Sequence, residues 1–264
     1  MTRGRNYQTE AIVLKYRPIG ESDRLITFFS STLGRITGIA RGVRRPGSRL
    51  GGSLEPLNIV QVSLARGRLF ETVSETSVIK DFNGIKSNLN KVALALYVAE
   101  LTDSFADDWS SNQKLYDLVG RTLADLNKNE YPLYLIHFFE LKLLKFVGYD
   151  PEFWECVECR EKLLPDKYPF APDMGGVLCS KCQLNFDYFP MHISLGAMKI
   201  LRYLQRQKDN ESISSGVTLP QLDLKEVSEI LRNYLRFVAE RQLKSTSFLD
   251  LVTEMPFGDT SKFT

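Results

Sequence analysis

The sequence predicts a multi-domain α+β protein, with a small barrel of five strands, then a helical domain into which a four-cysteine module is inserted. Apolar residues alternate with a period of two up to about residue 79, and after residue 81 they recur with a helical period. Four cysteines in two close pairs interrupt the helical part. We expect the barrel at 1–80, the helical domain at 81–150 and at 191–264 with a C-terminal tail, and the cysteine module at 151–190.

The first element is the barrel. Val, Ile, Thr and Phe are enriched in five runs separated by turn residues, near 7–17, 23–30, 34–43, 57–65 and 68–79. Five short strands are too few for a seven-stranded sandwich, and they predict a closed OB-fold barrel. That fold binds oligonucleotides across one face and its loops.

The helices follow. Apolar positions at helical spacing predict a helix near 85–106, and a second one is predicted by Leu115, Leu118, Val119, Leu123 and Leu126. A third, at 131–147, is apolar nearly all round and ends at Gly148, so it belongs in the middle of a bundle. After the cysteines we expect helices near 194–207, with Ser194 as N-cap, and near 221–242.

Positive charge is concentrated in the first third of the chain. Residues 1–80 hold 13 Lys and Arg against 6 Asp and Glu, whereas the remainder holds 21 against 26. Such an asymmetry is typical of a surface that binds nucleic acid or an anionic membrane, although a merely solvated basic domain also fits. No apolar run reaches the roughly 20 residues of a membrane span, and the N-terminus lacks the apolar segment of a signal peptide. We therefore expect a cytoplasmic, nucleoid-associated protein with no membrane partner.

The stretch ARGVRRPGSRLGG, residues 40–52, contains four arginines and no acid. A glycine-rich connection of this kind can follow phosphates without reading bases, because the arginine fork donates to phosphate bidentately. With further cations on the barrel, we expect about six phosphate contacts and a loss of about a thousandfold in affinity between roughly 50 and 200 mM salt. The predicted DNA contacts are Arg41, Arg44, Arg45, Arg49, Arg35, Lys15 and Arg17.

Some barrel residues have two interpretations. Arg24, between acids in Glu21-Ser-Asp23-Arg24, is either a DNA contact or a member of an internal ion pair. The aromatic residues of the strands could stack on bases, but about half of them must face the core, and we expect this of Phe28 or Phe29. Tyr7 and Tyr16 stay open.

All four cysteines form two pairs, Cys156-x2-Cys159 and Cys179-x2-Cys182, separated by 19 residues. Two such turns can supply the four thiolates of a closed tetrahedral zinc site. One structural Zn²⁺ ion is the leading interpretation, with an iron–sulfur cluster or unliganded thiols as alternatives. The segment between the pairs is rich in turn residues and too short for a core of its own, so we expect the metal to supply its folding energy.

No catalytic constellation is evident, and we expect no enzyme. His137 lies on the apolar third helix, where a hydrogen-bonded core histidine is the simpler reading, and His192 has no ligand spacing to the cysteines. The sequence contains no nucleotide-binding glycine loop and no nucleophile elbow. Asp103, Asp107 and Asp108 fall at a predicted helix end, where we expect solvated carboxylates.

Several segments resemble the bacterial recombination mediator family RecO. In the first third these are Tyr7–Lys15, Gly20–Leu25, Gly38–Arg45 and Leu54–Leu57. The resemblance continues through Tyr97–Leu101, Phe139–Leu144 and Gly148–Pro151 into the cysteine pairs, and so covers most of residues 7–190. It implies an OB domain, a helical domain and a C4 zinc module.

The resemblance also implies function. Members of the family bind single- and double-stranded DNA, anneal complementary strands and act with RecR to replace SSB by RecA at gaps, with contact to the acidic C-terminal tail of SSB. No nucleotide hydrolysis is expected. Two other function classes remain open: an interaction adaptor whose basic barrel docks acidic protein tails, and a metal-dependent nuclease, which would need several convergent acids.

Overall fold

The computed structural model describes residues 6–128, 133–186, 191–209 and 220–240. The described residues divide into two compact units, one up to residue 128 and one from residue 133 to residue 240. The helices predicted at 81–150 are therefore shared between the two units. The predicted boundaries at 80, 150 and 190 stay predictions, and the predicted C-terminal tail lies outside the described residues.

The first unit begins with a closed barrel, as predicted. Its strands are β1 (Asn6–Ile19), β2 (Asp23–Ser30), β3 (Gly34–Ala40), β4 (Ile59–Ala65) and β5 (Glu71–Lys80). They follow the order β1-β2-β3-β5-β4, and β1 closes the barrel by pairing with β4. Only β3 and β5 pair in parallel. This is the connectivity of the OB-fold.

The barrel encloses the inward-facing half of each strand. Alternation is clearest in β3, where Gly34, Ile36, Gly38 and Ala40 are buried and the residues between them are partly exposed. Branched and aromatic residues of the other strands complete this core: Val13, Ile26, Phe28, Val60, Val62, Leu64 and Val73. A bulge between Val13 and Lys15 lets β1 bend from one partner strand to the other.

Three helices complete the first unit: α1 (Asn83–Lys86), α2 (Leu89–Phe105) and α3 (Gln113–Lys128). The helix predicted near 85–106 corresponds to α2, which begins a few residues later than expected because the chain breaks at Asn88 and α1 forms a separate turn before it. The Asn88 side chain accepts hydrogen bonds from the backbone N–H groups of Asn90 and Lys91, and so caps α2. All five apolar positions predicted for the second helix are buried in α3.

The second unit contains α4 (Leu133–Phe146), α5 (Leu195–Arg206) and α6 (Gln221–Ala239). Eleven residues of α4 are buried, as expected for a central helix, and Gly148 follows with φ of 87°. Ser194 caps α5 as predicted. Between α4 and α5 lies a three-stranded sheet of β6 (Tyr168–Ala171), β7 (Gly176–Val177) and β8 (Met191–Ile193). None of the described helices combines the length and the apolar composition that a membrane span requires.

Candidate nucleic-acid interface and cysteine site

The connection from β3 to β4, residues 41–58, is called the arginine loop. Its four arginines, Arg41, Arg44, Arg45 and Arg49, are all exposed. The first acidic residue after them is Glu55, so a stretch of 14 residues carries only positive charge. The third strand ends at Ala40, which places Arg41 at the first position of the loop and not in the strand.

The arginine loop is more ordered than its glycine content suggests. Val43 and Leu54 are buried in the barrel core, and successive turns are closed by backbone hydrogen bonds such as Arg45 N to Gly42 O at 3.1 Å. Side chains of the loop therefore fill the end of the barrel. The arginines project from a fixed base, which lowers the entropy lost when they bind a ligand.

The turn between β1 and β2 fastens the start of the loop. The Arg44 backbone N–H donates to Ser22 O at 2.9 Å, and the Gly42 N–H donates to the Asp23 carboxylate at 2.8 Å. The Gly42 bond is the largest cause that lowers the pKa of Asp23, followed by a bond from Ser22 and by the charges of Arg41 and Arg45. The Asp23 carboxylate therefore stays ionised and binds the backbone of the loop.

Arg17 and Arg24 lie on the neighbouring strands and differ in their surroundings. Arg17 lies in the exposed end of β1, opposite Leu25 of β2, and is exposed. Arg24 donates to Glu55 at 3.0 Å and lies over the Tyr16 ring, 3.9 Å from its centroid. Of the two interpretations of Arg24, the structure therefore shows the internal ion pair. Its partner is Glu55 and not the neighbouring Glu21 or Asp23. Tyr16 is 36% exposed.

Lys15 and Arg35 are held by acids of the first unit. Lys15 Nζ lies 2.6 Å from Asp103 Oδ2, and Arg35 Nε lies 2.6 Å from Asp108 Oδ1. Arg35 Nη1 also donates to Asp103 O at 2.7 Å. The hydrogen bond to Asp108 is the main cause that raises the pKa of Arg35. Both cations carry internal partners that compete with phosphate, so their predicted DNA contacts stay predictions.

The expectation of a solvated carboxylate is wrong for Asp103. It lies on α2 and is only 6% exposed, because α2 packs against the barrel and brings Asp103 onto two strand cations. Asp107 and Asp108 are exposed. Within the described residues, the cysteines form the only group of three or more potential ligands close enough to hold a metal ion.

Helices cover the outer face of β2, which is a nucleic-acid surface in many OB-folds. Phe28 points into the barrel core, and Phe29 on the other face lies 5.9 Å from the Tyr116 ring of α3. Both phenylalanines are at most 1% exposed, so the expectation that one of them is core holds for both. Tyr116 Oη donates to Glu10 at 2.9 Å and fixes α3.

The four cysteines converge in the second unit. All four Sγ atoms lie within 4.8 Å of one another, and Cys159 and Cys179 are separated by 3.8 Å. A tetrahedron of metal–sulfur bonds of about 2.3 Å has edges of about 3.8 Å. None of the four is in a disulfide. The cluster matches the dimensions of a four-thiolate metal site.

Backbone groups favour thiolates in this cluster. Burial opposes a charge on Cys156, but N–H groups of Cys159, Cys179 and Glu158 outweigh it and lower the pKa of the thiol to about 7. The hydrogen bond with Cys179 is the largest cause that raises the pKa of Cys182. Four thiols cannot all ionise at such close range without a cation, so the donor set fits a divalent metal.

Helix α5 holds the cysteine module in place. The Arg202 guanidinium donates to Phe153 O at 2.8 and 2.6 Å and to Leu163 O at 3.0 Å. Its carbon lies 4.8 Å from the Trp154 ring centroid. The module also has a small core around Cys156, Ala171, Leu178 and Cys179. Two of these four residues are cysteines of the site, so the segment between the pairs packs around the site and forms no separate core.

The two histidines sit in different environments. His137 is 2% exposed and lies 2.8 Å from Glu140 and 3.0 Å from Ser228 Oγ through its two ring nitrogens. It is the hydrogen-bonded core histidine that the sequence predicts. His192 is exposed on β8.

A second exposed basic turn was not predicted as a site. Arg66 and Arg68 follow β4 and lie at the end of the barrel opposite the arginine loop. The signal in the sequence is the pair of arginines flanking Gly67 at a strand break. Trp109, from the segment after α2, lies near this turn in the fold, and nothing in the sequence around Trp109 predicts that position.

Comparison with known proteins identifies relatives over almost the whole chain. Residues 1–82 match the family described as Recombination protein O N terminal, and residues 86–247 match Recombination protein O C terminal. The DNA repair protein RecO of Dehalococcoides mccartyi (strain ATCC BAA-2266 / KCTC 15142 / 195) is 35% identical over 250 residues, covering 95% of this chain and 97% of that protein. The DNA repair protein RecO of Roseiflexus sp. (strain RS-1) is also 35% identical, over 96% of this chain and 88% of its own length.

Proposed function

Because the chain belongs to the RecO family of DNA repair and recombination proteins, we propose that it binds single- and double-stranded DNA through the arginine loop and anneals complementary strands. The observation that carries this proposal is the loop itself. Four exposed arginines stand on a base fixed by buried Val43 and Leu54, with no acid among them. Arg17, exposed on β1, is proposed as a further phosphate contact.

Annealing follows from the chemistry of these side chains. Each guanidinium donates two parallel hydrogen bonds to a phosphate and releases condensed counterions. Neutralising the phosphates of two strands lowers their mutual repulsion, and contacts confined to phosphate leave the base edges free to pair. The reaction consumes no nucleotide, and the protein acts as a mediator and not as an enzyme.

In the cell, we propose that the protein acts with RecR to load RecA onto gaps coated by SSB. Contact with the acidic C-terminal tail of SSB is part of this proposal. The proposal of these partners is based on membership of the family.

The cysteine site is proposed to hold one structural Zn²⁺ ion. Zinc accepts four thiolates in a closed tetrahedron and leaves no position for a substrate, so the ion would stabilise the fold of residues 153–182 and take no part in DNA chemistry. The two backbone N–H···S bonds at 3.3 Å, from Cys179 to Cys156 and from Cys182 to Cys179, would orient the thiolates.

The test is annealing of two complementary oligonucleotides without ATP or magnesium. We expect the native protein to anneal them and Arg44→Glu/Arg45→Glu to lose the activity. The matched control is Lys199→Glu/Lys225→Glu, which changes the net charge equally at exposed sites of α5 and α6. All three proteins are first compared by circular dichroism.

Two outcomes contradict the proposal. If the native protein neither binds nor anneals the strands, the arginine loop serves an acidic protein tail, as in an interaction adaptor. If both double variants lose annealing equally, the effect is general electrostatics and the loop is not the site.

A further inference from the structure

A small pocket lies at the end of the barrel opposite the arginine loop. It has a volume of about 280 Å³ and is lined mainly by apolar surface, at the lower limit for ligand sites in proteins. Its walls come from the start of β1, the turn between β2 and β3, the turn after β4, and Trp109. Space of this size suits one planar ring system.

Two aromatic rings form the walls of this pocket. Trp109 is 50% exposed, and its ring meets Tyr7 in an edge-to-face arrangement with centroids 6.3 Å apart. Burial is the largest cause that raises the pKa of Tyr7, followed by the charge of Glu71, so the phenol stays neutral. A half-exposed tryptophan beside a cavity offers a platform on which a base can stack.

The backbone holds Trp109 in position. Its N–H donates to Arg35 O at 3.3 Å, and the Arg35 N–H donates to Asp107 O at 3.0 Å, so the segment is fastened to the start of β3. Trp109 has a φ of 58°, a conformation that costs about 1–3 kcal/mol outside glycine and that needs such support. The absence of a side chain at Gly34 permits the close approach, since a Cβ there would clash with Ser110 O.

The charged side chain that lines the pocket is Arg66, and Arg68 is exposed two residues later. Glu71, the acid that acts on Tyr7, is buried and does not line the pocket. A flat apolar slot with a guanidinium at its rim fits a ring that carries an anion. The side-chain amide of Asn6, which also lines it, can bond to a base edge, whereas the amide nitrogen of Gln8 already donates to Ser63 Oγ at 2.9 Å.

The geometry points to a pocket that takes one unpaired nucleobase of a single strand, stacked on Trp109, with the adjoining phosphate on Arg66. This inference rests on the proposed DNA binding and adds a second contact site to it. Strand β4 separates the pocket from the arginine loop by roughly 20 Å, at about 3.3 Å per residue. A base that is paired in a duplex cannot enter, so the pocket selects single strands.

Tryptophan fluorescence tests the inference, because the chain contains only two tryptophans. Native protein and Trp109→Phe are titrated with a thymidine oligonucleotide and with an abasic phosphodiester of equal length and charge. We expect the thymidine strand to quench emission of the native protein and not of the variant, and the abasic strand to quench neither. Fluorescence anisotropy of labelled strands reports binding in the same samples.

Affinity gives a second readout. Trp109→Ala should lower the affinity for the thymidine strand about tenfold, the effect of one stacked base, and leave duplex affinity unchanged. Trp109→Phe, which keeps a ring, should restore most of the loss. The control is Leu69→Ala, in the turn that contains Arg66 and Arg68. The Leu69 side chain is 88% exposed and does not line the pocket.

The outcomes separate the two proposals. The pocket proposal is contradicted if anisotropy shows that the thymidine strand binds while Trp109 emission stays unquenched, or if the abasic strand quenches Trp109 equally. Either result leaves the proposal for the arginine loop unaffected. A protein that binds no strand at all overturns both.

Discussion

At the scale of single residues, Arg35 shows how a barrel cation can be occupied within the fold. Its side chain is 27% exposed and bonds to Asp108 and to the Asp103 carbonyl. We expect Arg35→Ala to lower the free energy of unfolding by about 1–3 kcal/mol, mainly because the Asp103 carbonyl and carboxylate lose a partner. The exposed pair with Asp108 contributes little to this. Urea denaturation measures the change.

The control is Arg41→Ala, at an exposed position of the arginine loop. This change should leave stability within about 0.5 kcal/mol of the native protein and weaken DNA binding. An Arg35→Ala protein of native stability that loses as much affinity as Arg41→Ala would show that Arg35 serves DNA directly.

At the scale of elements, the cysteine module depends on its metal and on pH. We expect one zinc per chain by elemental analysis and its loss in Cys179→Ser, whereas Ser180→Ala at the exposed neighbouring position keeps it. Metal affinity should fall with falling pH and most steeply below about 7, because protons compete for all the thiolates and below that pH also for Cys156, whose pKa the surrounding N–H groups lower to about 7. A colorimetric chelator that reports released zinc measures both effects.

If the cysteine module holds no metal, different results are expected. Native protein purified without any bound divalent ion, with thiols as reactive as free cysteine and a Cys179→Ser variant of native stability, would contradict the metal site. The small core around Leu178 would then hold the segment alone.

Elements that depend on neighbouring residues of the chain were predictable from the sequence. Features that depend on the packing of distant elements were not. The five strands follow from alternation, and the cysteine site from two turns of fixed spacing. Asn88 could have been recognised as a cap, since it is a favoured residue there, but the apolar period runs across it. That α2 and α3 cover β2 depends on packing, so neither the burial of Asp103 nor the position of Trp109 could be derived from residue order.

At the scale of the whole molecule, charge is divided between the parts of the chain. The first 80 residues hold a surplus of Lys and Arg, and the rest holds a surplus of acids. Phosphate binding should therefore depend on few side chains, each of which releases about 0.7 of a counterion from a single strand. The number of these side chains can be measured from the salt dependence of the affinity.

Six exposed arginines set the expected value for a single strand, five near the arginine loop or on β1 and one at the pocket: Arg17, Arg41, Arg44, Arg45, Arg49 and Arg66. The logarithm of affinity for a single strand should fall against the logarithm of salt with a slope of about −4.2, or about three-hundredfold between roughly 50 and 200 mM. Arg44→Glu/Arg45→Glu should make the slope shallower by at least about 1.4, and Lys199→Glu/Lys225→Glu should leave it unchanged. Anisotropy titrations over this range decide the matter, since a slope near zero in the native protein would mean that these arginines do not bind phosphate.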